Sequence, residues 1–117
     1  MTQLLAECRI PPQETVLWNI VPWYVGSEGR IRPVNQEDIN CGIQALKSLR
    51  PLLPNIRVVV LVGLKAQRSQ SAVETLFQTH VLSCPHPSQR VLIRWPEKRE
   101  EIKSVFRQAL EISLSMG

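Results

Sequence analysis

Residues 58–62 read Val-Val-Val-Leu-Val, and no other stretch limits the possible folds as tightly. β-Branched side chains favour extended backbone. A half-buried strand alternates apolar with polar residues, but this one does not, so both of its faces must be covered. Strands of that kind lie inside parallel sheets with helices on each side. Gly63 follows at once and turns the chain into a helix expected over residues 65–78, with Ala66, Val73, Leu76 and Phe77 facing inward. Ser69 and Gln70 leave a gap in that stripe.

The rest of the chain repeats the strand-then-helix order. A short helix is expected over residues 4–8. Residues 15–21 (T-V-L-W-N-I-V) form an apolar, β-branched run interrupted by Asn19, which reads as a buried strand ended by Pro22, with a loop through Ser27, Glu28 and Gly29 to Pro33. Asn35 is a good helix N-cap, with Glu37 and Asp38 suited to the positive helix end. Ile39, Gly42, Ile43, Leu46 and Leu49 then recur at helical spacing until Pro51. Residues 81–84 make a third strand, ended by Pro85-His86-Pro87-Ser88. Pro96 suits the first turn of a last helix with Ile102, Val105, Phe106, Ala109 and Leu110 inward. Such alternation predicts a three-layer α/β/α sandwich with a short parallel sheet. In such sheets ligands bind beyond the carboxyl ends of the strands. Asn19 and His86 both fall there, on different strands.

Composition narrows the function classes. With 117 residues, 44% hydrophobic and 21% charged, the chain is one domain with a core, not a disordered tail. No apolar run approaches the ~18 residues of a membrane span, so no membrane partner is expected. The start lacks a secretory pattern, so a cytoplasmic location is the default. Cys8, Cys41 and Cys84 are scattered and odd in number, which reads as small buried hydrophobes, with no disulfide framework and no metal site. Residues 1–56 carry five Lys/Arg and five Asp/Glu, whereas residues 57–117 carry nine and five. The whole +4 excess therefore lies in the second half, where a polyanion would be met.

Two polar residues need explaining. A buried amide without partners costs ~1–3 kcal/mol, so Asn19 in an apolar run either caps a neighbouring loop or reads a ligand edge through its paired donor and acceptor. His86 lies between Pro85 and Pro87, whose rings restrict the backbone and aim the imidazole. It is either a surface turn residue or a site residue. Val62-Gly63-Leu64-Lys65-Ala66 lacks the further glycines and the Lys-Ser/Thr pair of a phosphate loop, and reads as tight strand–helix packing.

Taken in order, Val16-Leu17-Trp18-Asn19-Ile20-Val21-Pro22-Trp23-Tyr24, the stretch from Leu53 to Ala66 with its Leu-x-Gly-x-x-Ala turn, His86-Pro87-Ser88, and the Trp95-Pro96 region with its charged helix resemble the uracil-DNA glycosylase superfamily. The resemblance implies DNA repair: a damaged base is flipped from the duplex and its bond to the sugar is hydrolysed. By that likeness Asn19 hydrogen-bonds the uracil edge, and His86 donates to the uracil oxygen as charge develops. Pro87 and Ser88 shape the backbone at DNA phosphates, and Arg90 and Arg94 add phosphate contacts. Arg90, Val91 or Leu92 enters the helix as a wedge. Uracil-containing DNA is the implied partner, and no cofactor is implied. The iron–sulfur branch needs four cysteines, and Trp23 stands where one would align.

The family pattern opens with a glycine-rich turn, in many branches bearing the acid that positions water. Nothing before Asn19 matches it; Glu7 and Glu14 are the upstream carboxylates, and the first glycine is Gly26. The expectation is a uracil-DNA glycosylase-like domain over residues 1–117, truncated at its N-terminus, that self-associates or needs an N-terminal partner. Two alternatives stand beside an active glycosylase: a DNA- or base-binding remnant without catalysis, and a flavodoxin-like interaction module.

Overall fold

The computed structural model describes residues 2–11, 15–20, 26–27, 30–31 and 33–115. The elements are α1 (Thr2–Glu7), β1 (Gly26–Ser27), β2 (Arg30–Ile31), α2 (Gln36–Leu49), β3 (Val58–Val62), α3 (Gly63–Gln67), α4 (Gln70–Phe77), β4 (His80–Cys84), α5 (Gln89–Arg94) and α6 (Glu97–Ser115). Among the described residues β3 and β4 form a parallel pair, in register from Val58↔His80 to Val62↔Cys84. Successive strand residues point to opposite faces, and each face has its own core. On one face Val60, Val62 and Cys84 pack with Leu4 and Cys8 at α1, Leu92 of α5, and Ile102 and Phe106 of α6. On the other, Val59, Leu61 and Val81 pack with Leu46 of α2 and Val73 and Phe77 of α4. The unalternating sequence of β3 thus has its expected consequence, a three-layer α/β fold.

Local chemistry sets the helix ends. The Asn35 side chain accepts from the Asp38 N–H at 2.9 Å, and the Asp38 carboxylate accepts from the Asn35 N–H at 3.0 Å, closing a capping box on α2. After Leu49 the chain tightens into a 3-10 turn, Arg50–Leu52, around Pro51. In α6 the expected stripe is inward: Ile102 is fully buried, with Phe106 and Ala109 nearly so. Burying a side chain of the size of Ile or Phe contributes about 1.5–3 kcal/mol.

Several expectations are corrected. The helix foreseen over residues 65–78 is two helices, because the Ser69 hydroxyl donates to the Ala66 carbonyl at 2.6 Å and competes with the helical ladder. The buried strand foreseen at residues 15–21 does not form over its described part. Residues 15–20 run without strand or helix, and Val16, Leu17 and Trp18 are exposed by 53%, 62% and 44%. A β-branched run encodes extended backbone, but a strand exists only when a neighbour supplies its ladder. Val21 to Val25 fall outside the described residues. The loop foreseen after Ser27 contains an antiparallel β1–β2 pairing, Gly26↔Ile31 and Ser27↔Arg30. Cys8 and Cys84 are buried as foreseen, but Cys41 is exposed on α2.

Burial pushes the Cys84 thiol up to about 11 from an ordinary 9.0, and the Glu101 carboxylate adds to the shift. The folded chain therefore holds this proton more tightly than the unfolded chain. Its contribution to stability is complete below pH 9.0 and is lost as pH rises towards about 11. Chemical denaturation should show stability falling across that window, with a smaller fall in Cys84→Ala. Asn35→Ala, which opens the capping box, should cost about 1 kcal/mol and lower the midpoint of thermal unfolding by a few degrees.

Candidate active site at the strand carboxyl ends

Because β3 and β4 run parallel and in register, Val62 and Cys84 end level with each other. The chain after each strand leaves from the same side of the sheet. After β3 it turns at Gly63, whose φ of +86° is a left-handed conformation that only glycine adopts without strain. After β4 it continues as Pro85-His86-Pro87. The two turns touch: a Cβ added to Gly63 would stand 3.1 Å from His86 Cβ and 3.6 Å from its Cδ2. Glycine is needed there twice over, for its backbone angle and for the closeness of the histidine. The Gly63 turn is thus a seat for His86 as well as the tight packing expected of it.

Other groups fix the same segment. The Gln67 amide on α3 donates to the Cys84 carbonyl at 3.0 Å and holds the end of β4 against the first helix turns. Ser88 caps α5, its hydroxyl accepting from the Val91 N–H at 3.2 Å. His86 is therefore anchored on both sides while its side chain stays exposed. Pro87 and Ser88 are half-buried beside it. Sequence reasoning overlooked Gln67; an amide just after a strand–helix turn, able to reach the next strand end, was the available signal.

The helix α5 was also not foreseen, and it decides which side chains face solvent. Val91 and Leu92 are half-buried, and Leu92 packs on the core shared with α6. Arg90 and Arg94 are exposed, and the Arg94 guanidinium lies over the Trp95 ring at 5.2 Å. Ile93 is 74% exposed, an apolar side chain displayed between the two arginines in sequence. Leu64, directly after Gly63, is 80% exposed. The turn-and-helix segment thus combines an imidazole, two guanidiniums and displayed apolar groups.

Asn19 is placed differently from the expectation. It lies exposed in the irregular stretch of residues 15–20, not at the end of a buried strand, and makes no hydrogen bond to another described residue. Glu7 forms an ion pair with Arg99 of α6, and Glu14 lies outside the described residues. Among the described residues no three His, Cys, Asp or Glu side chains are grouped to hold a metal ion, and no helix is long and apolar enough to cross a membrane. An open groove of about 510 Å³ lies elsewhere, between α2 and α4, lined by Ile43, Lys47, Ser71, Ala72, Thr75 and Leu76. It offers one charged group and none of the strand-end residues.

Gly63→Ala should be costly, because the new methyl meets both a disallowed backbone angle and the His86 side chain. A loss of more than about 1 kcal/mol is expected, together with a shifted His86 ring signal by NMR. An unshifted ring and unchanged stability would show that the two turns do not touch.

Comparison with known proteins bears on this geometry. Neither a curated protein nor a solved structure matches the chain. A family model described as "Uracil DNA glycosylase superfamily" matches residues 1–111, which takes in β3, β4, the His86 segment and most of α6. With nearly the whole length matched, and with the parallel α/β fold found in the structure, the chain belongs to the uracil DNA glycosylase superfamily.

Proposed function

We propose that the chain is a DNA-repair domain that binds uracil-containing DNA at the strand carboxyl ends and serves the hydrolysis of the base–sugar bond. The observation that carries this reading is the seating of His86 on Gly63, with the arginines of α5 directly after it. In that reaction water adds to the sugar carbon and gives up a proton, the bond from that carbon to the base nitrogen breaks, and its electron pair spreads onto the base oxygens until the departing base takes up a proton. An imidazole N–H fixed in place donates to such an oxygen more strongly as charge grows. Losing one donor of this kind typically costs ~10²–10³ in rate. Pro85, Pro87 and Gly63 hold the ring's position beforehand, so little reorganisation accompanies the charge.

Arg90 and Arg94 meet phosphates, each adding affinity that salt weakens. Beside Arg90, Val91 and Leu92 as candidates for the wedge stands Ile93, which is far more exposed than the half-buried Val91 and Leu92 and is displayed to enter the base stack. Asn19 reads the base edge when DNA orders its segment, since its amide offers both a donor and an acceptor.

A second reading, binding with little catalysis, is favoured by the carboxylates before Asn19. Glu7 is held by Arg99, and neither it nor Glu14 belongs to a glycine turn that would aim water at the sugar. The chain by itself is therefore expected to bind uracil-containing DNA but to excise uracil slowly. Expected in an electrophoretic or fluorescence binding assay is an affinity that falls steeply with salt. Replacing Arg90 and Arg94 with Ala should weaken all sequences alike and flatten the salt slope by about one unit per lost phosphate contact. Robust excision on single-stranded uracil DNA would show that some residue already supplies the acid. No binding at low salt would contradict the DNA role itself.

A further inference from the structure

The sheet has one edge whose sequence does not suit an edge. β3 bonds to β4 on one side, and no other described residue hydrogen-bonds to its backbone. Natural edge strands carry charges, proline or a bulge that discourage pairing with another chain. β4 follows this rule, displaying His80 and Ser83 and ending at Pro85. β3 does not: its five residues are all apolar, and only Leu61 is fully buried while the four valines stay half-exposed. Among the described residues, a strand written for the middle of a sheet stands at its margin.

The same chain displays the complementary element. Residues 15–20, Thr-Val-Leu-Trp-Asn-Ile, have strand-forming composition, lie outside any ladder, and expose Val16, Leu17 and Trp18. At six residues they are long enough to run along the five residues of β3. Three consecutive exposed apolar side chains, one of them tryptophan, are costly to leave in water.

We propose that two copies of this chain associate by pairing residues 15–20 of each with the free edge of β3 in the other. Every copy carries both the edge and the segment that fits it. A two-fold pair therefore forms two equivalent ladders and closes, leaving no further edge of this kind to recruit a third copy. Among the described residues the segment pairs with nothing in its own copy, which leaves it available to the other copy. Association buries the half-exposed valines of β3 and the Val16–Leu17–Trp18 run together. The segment carries Asn19, so pairing also sets where that amide stands, whereas the association itself rests on the two strand edges and not on the DNA reading.

Sedimentation velocity over a concentration series tests it. A species of twice 13.3 kDa is expected to grow with concentration, with a blue shift in tryptophan emission that Trp18→Phe diminishes. Leu17→Pro removes a ladder N–H at a position 62% exposed in the single copy, so the variant should keep its helical circular dichroism while the dimer weakens tenfold or more. A peptide of residues 15–20 added in excess to the native chain should compete the dimer away, an arm that does not rely on the variant folding. A monomer at every concentration, or a dimer that both the proline and the peptide leave intact, overturns the proposal.

Discussion

The parallel ladder between β3 and β4 is the interaction on which the rest of the molecule depends. Its register sets Val62 level with Cys84, and that alignment brings the Gly63 turn under His86. A slip of one residue would send every side chain of one strand to the opposite face. Val59 and Leu61 would exchange places with Val60 and Val62, and both cores would have to repack. The same slip would part Gly63 from His86. Site and core are therefore specified by one set of backbone hydrogen bonds.

The helices on either face stiffen this arrangement. α6 packs along both strands through Ile102 and Phe106, while α4 presses Val73 and Phe77 against the other face. Arg50 ties the end of α2 to α4 within one layer, its guanidinium 4.9 Å from the Phe77 ring centre and donating to the Leu76 carbonyl at 3.4 Å. Within the other layer Glu7 of α1 pairs with Arg99 of α6. The site segment is thus short and anchored, between Gln67 at one end and the Ser88 cap at the other. For the proposed donation from His86 such fixing is an advantage, because the dipole is aimed before any reaction begins.

Features governed by near neighbours in sequence were legible without coordinates. β3 declared itself by its unbroken apolar run, α2 by Asn35 and Asp38, and α6 by its stripe from Ile102 to Leu110. Features set by distant partners were not. Residues 15–20 have the composition of a strand, but composition cannot say whether a ladder partner is at hand. The break between α3 and α4 turns on one hydroxyl choosing the Ala66 carbonyl, for which the gap at Ser69 was only a hint. The six residues of α5, hemmed by Pro87 and Pro96, are too few to show a helical period. For the site, the place of His86 at a strand end was readable, whereas its contact with Gly63 required the register of two strands. Asn19 was readable as an unusual amide but not as an exposed one, since its burial rested on a strand that does not form.

Ligand chemistry is proposed to converge where β3 and β4 end, around His86. The most direct test is an NMR titration of the isotope-labelled chain with a short single-stranded DNA carrying one uracil, compared with the same strand carrying thymine. The uracil strand should shift the His86 ring, the Gly63 amide and the Gln67 side-chain amide, and the thymine strand should shift mainly the α5 arginines. Perturbations confined to the groove between α2 and α4, or a His86 ring unmoved by saturating uracil DNA, would contradict it.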